Sequence, residues 1–199
     1  MRTEVDVVEF KGGNVGSVQR CLTRLGIDYR TVNASNLPDG SRPLLVPGVG
    51  SFGAVMQVLK DDGLADAIQA SVKKGTPYIG ICVGMQVLFD RSEESPGVEG
   101  LKLVSGDVVR FNAPKVPLIG WNEIVAKQNN FDGGFVYFVN SFYPKPSDAS
   151  TVLYAADYAG TFCAAVRSGN ITGFQFHPEK SGTFGNQLLK RTIEDACRN

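Results

Sequence analysis

In the first ninety residues, short apolar runs alternate with helix-like segments, and glycine, proline or polar turns separate them. Residues 5–10 read as a strand and residues 14–25 as a helix stopped by Gly26. Residues 29–32 and 44–46 are further strands, the second closed by Pro47-Gly48. Residues 53–59 and 64–73 look helical, and Gly75-Thr76-Pro77 stops the second. Residues 78–81 form an apolar strand, and residues 85–89 begin a helix. Parallel strands cannot be joined by tight turns and need a crossover, usually a helix. The rhythm therefore predicts an α/β fold: a mixed, mostly parallel sheet flanked by helices.

The second half has short strands at 108–111, 135–140, 152–156, 162–167 and 171–176, and a closing helix at 185–197. No repeat, low-complexity tract or linker interrupts the 199 residues, so a single domain spanning 1–199 is expected. Lysine plus arginine equals aspartate plus glutamate, 20 each, which argues against a nucleic-acid or anionic-membrane partner. No apolar stretch approaches the roughly 20 residues needed to span a bilayer, and the N-terminus lacks a charged-then-apolar leader pattern. Cys21, Cys82, Cys163 and Cys197 have neither metal-finger nor C-x-x-C spacing. These features predict a cytoplasmic location, reduced thiols, no metal and no cofactor.

The strongest local signal is Gly80-Ile81-Cys82-Val83-Gly84, placed after a strand and before a helix. It is the cysteine form of the G-x-S-x-G nucleophile elbow. Glycines at 80 and 84 remove side chains that would crowd a sharp turn, and the start of a helix favours the reactive thiolate. Most free cysteines are inert and buried; the flanking glycines and the strand–helix setting argue otherwise here. His177 is the only histidine, so a cysteine–histidine mechanism has one candidate base. It precedes Pro178, which favours extended backbone at 177. In an extended segment His177 and Glu179 project together, so the carboxylate can orient the ring. Read in isolation, His177 beside an exposed Glu179 is an ordinary strand end; the need of Cys82 for a partner shifts that balance. The glycine-rich turn at 47–53 follows the strand at 44–46 and can aim backbone N–H groups at a developing oxyanion. Val49 or Gly50 would supply one donor and Val83, just after the nucleophile, the other. Gly12-Gly13-Asn14-Val15-Gly16 does not match the dinucleotide spacing, and nucleotide binding is not expected.

Together these residues resemble the class I glutamine amidotransferases, on GICVGMQ at 80–86 and QFHPE at 175–179. Within that class, PGVG at 47–50, GWN at 120–122 and HPEKS at 177–181 are similar to the glutaminase subunits of imidazole glycerol phosphate synthase, over essentially the whole chain. The resemblance implies a flavodoxin-like glutamine amidotransferase fold and a Cys82, His177, Glu179 triad that hydrolyses L-glutamine. It also implies Gln86 in the substrate pocket and ammonia transfer to a cyclase subunit with a (β/α)8 barrel in a heterodimer. Asn14, Trp121, Tyr137 and Lys180 are expected at that interface. One departure is Asn140, where the family usually has histidine. Two other readings stay open: a glutaminase serving another synthase, such as anthranilate or pyridoxal phosphate synthesis, and a catalytically silent binding protein on the same fold.

Overall fold

The computed structural model describes residues 3–10, 15–36 and 38–198. In chain order they form β1 (Glu4–Val8), α1 (Gly16–Leu25), β2 (Asp28–Val32), β3 (Leu44–Gly48), α2 (Phe52–Asp61), α3 (Leu64–Lys73), β4 (Tyr78–Cys82) and α4 (Val83–Gln86). Then follow β5 (Arg91–Ser92), β6 (Gly106–Arg110), β7 (Leu118–Ala126), β8 (Gly134–Asn140), β9 (Phe142–Pro146), β10 (Val152–Asp157), β11 (Thr161–Ser168), β12 (Ile171–Phe174) and α5 (Gly182–Ala196). One nine-stranded sheet has the order β2-β1-β3-β4-β12-β11-β10-β7-β8, and β5-β6-β9 form a second, small sheet. The first five strands pair in parallel; from β12 to β8 every pairing is antiparallel. The parallel part repeats the flavodoxin-like order, in which ligands bind beyond the carboxyl ends of the strands.

Local chemistry explains most of these elements. β3 and β4 are buried at every position, as central parallel strands covered on both faces must be. Helix α1 buries Val18, Cys21 and Leu22, one stripe at helical spacing. Gly26 ends it in the left-handed conformation, φ 68°, with its N–H bonded back to the Leu22 and Thr23 carbonyls. The Ser51 side chain caps α2 through the Ala54 N–H, and Phe52, Val55, Met56 and Leu59 face the core. All four cysteines are free thiols. Among the described residues no helix is long and apolar enough to cross a membrane.

Several elements differ from the sequence expectation. The helix predicted to begin at residues 85–89 starts at Val83 and ends at Gln86. The carbonyls that would continue it are taken by the following loop: Val87 accepts from Leu101 N–H, and Leu88 from the Leu103 and Val104 N–H groups. A four-residue helix has little macrodipole, so local backbone N–H groups, rather than a long helix, are what β4 presents at Cys82. The strands β7 and β9 have no counterpart in the sequence pattern. Gly120 and Asn122 interrupt the first as a pattern. Pro144 and Pro146 argue against the second, which is tolerated because β9 is the edge of the small sheet.

Candidate active site

Cys82 ends β4 in a conformation that non-glycine residues rarely adopt, φ 55° and ψ −116°. Such strain persists only where the surroundings enforce it. Here they do so through three glycines. A Cβ on Gly80 would stand 2.5 Å from the Gly84 carbonyl oxygen, and one on Gly48 would stand 2.5 Å from the Gly84 nitrogen. A Cβ on Gly84 would overlap the Val46 carbonyl. The first turn of α4 is thus pressed against β3 and β4, and Cys82 is lifted to the pocket floor. The Tyr78 hydroxyl, fully buried, donates to the Gly84 carbonyl at 2.6 Å and ties the turn from below.

His177 lies just past β12, the strand next to β4. Its backbone is extended, as expected before proline, but Pro178 opens a 3₁₀ turn over Pro178–Lys180. That turn, rather than a continuing strand, swings Glu179 round to His177. Nδ1 of His177 and Oε1 of Glu179 are 2.9 Å apart, and both residues are buried. The Ser17 hydroxyl is a longer second partner of that oxygen at 3.5 Å. Burial pushes the imidazole toward neutrality, but hydrogen bonds and charge attraction to Cys82 and Glu179 outweigh it and raise its pKa to about 9. The ring is thereby held between thiol and carboxylate. Three further bonds fix its backbone: His177 N–H to the Tyr137 carbonyl (3.0 Å), Tyr137 N–H to Ser181 Oγ (2.9 Å) and the Ser181 hydroxyl to the His177 carbonyl (2.6 Å).

Cys82 and His177 line a pocket of about 370 Å³ together with Val49, Gly50, Val83 and Gln86. All the expected oxyanion and substrate residues therefore converge there. Gln86 is 3% exposed, and its Nε2 donates to Gln175 Oε1 (2.9 Å) and to the Phe142 carbonyl (3.1 Å). Sequence reasoning assigns no role to Gln175, Glu94 or Ser141. Gln175 is fully buried, with Nε2 3.9 Å from Cys82 Sγ; its place two residues before His177, on the same side of an extended segment, is a signal that could have found it. Glu94 reaches the pocket from the loop after β5 and accepts the Phe52 N–H at 2.7 Å, a contact that no local pattern discloses.

Of the expected interface residues, Lys180 is exposed at the pocket mouth and Tyr137 is half-buried. Trp121 is 57% exposed, so it is not a core residue. Trp121 and Tyr137 are paired across β7 and β8, with ring centroids 6.2 Å apart. Asn14 lies outside the described residues. Ile119, Val125, Phe135 and Val139 are exposed on the same face, since side chains alternate along a strand. The opposite face of the hairpin carries Ile124, Val136 and Phe138 in the core. The hairpin at the end of the sheet is therefore apolar on both faces and leaves one apolar face exposed.

A strained cysteine beside a carboxylate-oriented histidine, on a flavodoxin-like sheet and next to a glycine-rich turn, is an arrangement suited to acyl transfer from an amide. Residues 6–196 match the glutamine amidotransferase class-I family, and the chain belongs to it. It is 42% identical to the imidazole glycerol phosphate synthase subunit HisH of Geobacillus thermodenitrificans, over 96% of this chain and 95% of that one. It is 40% identical to the subunit of the same name from Rhodopirellula baltica, over 94% and 95%. A solved glutamine amidotransferase superposes with a TM-score of 0.79 at 22% identity, over 96% of this chain and 98% of that one, a likeness of fold.

Proposed function

We propose that this chain is the glutaminase subunit of an imidazole glycerol phosphate synthase, releasing ammonia from L-glutamine for a cyclase subunit in histidine biosynthesis. The carrying observation is the strained Cys82 beside the His177–Glu179 pair, in a chain about as long as the HisH relatives it matches. As a thiolate, Cys82 attacks the side-chain amide carbon, and the carbon–oxygen double bond becomes an oxyanion. Backbone N–H groups of Val83 and of the 49–50 turn stabilise that oxygen. Protonated His177 gives its proton to the nitrogen, the carbon–nitrogen bond breaks, and ammonia leaves a thioester. His177 then takes a proton from water, whose oxygen attacks the thioester; the thiolate departs and glutamate is released. Glu179 keeps the ring oriented and favours its protonated form. The test is glutamate release by the purified chain, with and without a cyclase subunit and its nucleotide ligand. No glutamate under either condition would refute the reading and leave the silent binding protein.

The raised pKa of His177 sets a pH dependence. Its interactions favour the protonated ring, so they contribute fully below its ordinary value near 6.5 and are lost as pH rises through about 9. The alkaline limb of kcat/KM is therefore expected near pH 9. Glu179→Gln removes one of the groups that hold the proton, so the limb should move to lower pH and kcat/KM should fall. An unmoved limb would show that Glu179 does not govern the ring.

The exposed face of β7 and β8, with Lys180, is the proposed docking surface for the cyclase barrel, and the heterodimer is proposed to be cytoplasmic. The hydrogen bonds from Tyr137 to the His177 segment connect that face directly to the triad. Lys180→Glu should weaken the complex on the order of tenfold, about 1.4 kcal/mol, with a loss of salt dependence. Titration calorimetry or analytical ultracentrifugation reads this; unchanged affinity and unchanged coupling of the two activities would remove Lys180 from the interface.

A further inference from the structure

Gln175 lies between β12 and His177, and its N–H is fixed to the Ala164 carbonyl of β11 at 2.9 Å. Its side chain is fully buried. The carboxamide stands between two residues of the active site, Gln86 and Cys82. The Phe142 carbonyl decides which end faces which. That carbonyl can only accept, so Gln86 turns its nitrogen toward it, at 3.1 Å. The same nitrogen lies 2.9 Å from the Gln175 carboxamide, which must meet it with Oε1. Nε2 of Gln175 is then the end left over, and its neighbour is Cys82 Sγ, 3.9 Å away.

A neutral thiol accepts hydrogen bonds weakly, whereas an ionised acceptor binds its donor more strongly and at shorter range. The 3.9 Å separation is long for a hydrogen bond, and catalytic contacts of this kind tighten once the reacting group carries charge. A carboxamide buried this completely costs free energy unless both of its ends are paired. Its oxygen has Gln86; its N–H finds a strong partner only when Cys82 is ionised. In the proposed reaction, on which this inference rests for its part in turnover, the sulfur is an anion twice: when it attacks the amide and when it leaves the thioester. We propose that Gln175 Nε2 donates a hydrogen bond to the Cys82 thiolate at both points, making Gln175 a catalytic residue beside the triad. His177 balances the charge of the sulfur. Gln175 adds a neutral donor from the same segment, and Gln86 locks its orientation.

The test uses the full chain with its cyclase subunit and reads the thiol directly. Cys82 is alkylated with iodoacetamide across a range of pH, and peptide mass spectrometry locates the adduct. Gln175→Met keeps the length of the side chain and removes the donor. The midpoint of alkylation should rise by about one pH unit, and kcat/KM at neutral pH should fall on the order of tenfold, the scale of a lost hydrogen bond to a charged group. His177, Glu179, Glu94 and Lys180 are the titratable groups around the sulfur. The variant leaves all four in place, so a shift belongs to the lost donor. Gln175→Leu replaces the methionine variant if the latter unfolds at the assay temperature. An unmoved or lowered midpoint would overturn the proposal; joined to a raised KM, it would leave Gln175 as a support for Gln86. A raised midpoint with unchanged kcat/KM would overturn the catalytic role. Alkylation needs no glutamine, so glutamate release by the unaltered complex remains the separate check on the proposed function.

Discussion

Cys82→Ala is expected to remove glutamine hydrolysis by about 10⁴-fold or more, the loss found when a triad nucleophile is deleted. Its melting temperature should barely move. Cys82 is a small side chain at the pocket floor, and the strain at φ 55° stays, because alanine inherits the same backbone enforced by Gly80, Gly84 and Gly48. His177→Ala should cost a comparable factor in rate but also stability. It leaves the Glu179 carboxylate buried with only the longer contact to Ser17, and a buried charge stripped of its partner is destabilising. The two variants therefore separate chemistry from folding: both lose glutamate release, and only the histidine variant melts earlier. Partner binding should survive in Cys82→Ala, since that side chain is not on the exposed β7–β8 face. Near-normal turnover in His177→Ala would sink the triad.

Much of this arrangement is legible in the sequence because it rests on residues with few alternatives. Glycine at 80 and 84 around Cys82 signals a turn in which a Cβ has no room, and the structure places backbone where each Cβ would go. A single histidine leaves no ambiguity about the base. The parallel strands are readable for a similar reason: a chain segment buried on both faces is apolar throughout, as residues 78–81 are. The parts that escape depend on distant partners. The helix after Cys82 is cut short by the backbone of residues 101–104, which competes for its carbonyls. β7 is obscured because its exposed face is apolar, so the strand lacks the apolar–polar alternation of a half-solvated sheet. That apolar face has a reason if β7 is half-exposed only until a partner covers it, as the proposed docking surface requires. Glu94 joins the pocket through a bond to a residue 42 positions earlier, which no local motif can report.

Val49→Pro is expected to lower the partner-stimulated glutaminase rate by roughly 10²–10³, the worth of one oxyanion donor. The residue lines the pocket between two glycines with different duties. Gly48 is required for space, since a Cβ there would collide with the Gly84 nitrogen. Gly50 is required for conformation: its φ is 95°, and a Cβ placed on it would meet nothing within 4 Å. The Val49 N–H belongs to the peptide between Gly48 and Val49, which can reorient through ψ of Gly48, whereas β-branched Val49 opposes the positive φ that a flip would bring. We expect two loop states, one with that N–H aimed at the oxyanion position and one without, and a ligand on the partner that prefers the first would switch ammonia release on. Proline at 49 deletes the Val49 N–H, so the stimulated rate falls and the ratio of stimulated to basal rate collapses toward one. Glycine at 49 acts in the other direction: it frees the loop and should raise the basal rate without the partner's ligand. Measuring both rates in both variants separates the possibilities. A stimulated rate unchanged by proline would exclude the Val49 amide and leave that of Gly50 as the donor. A basal rate unchanged by glycine would mean that the loop is rigid and that activation comes from docking of the subunits alone.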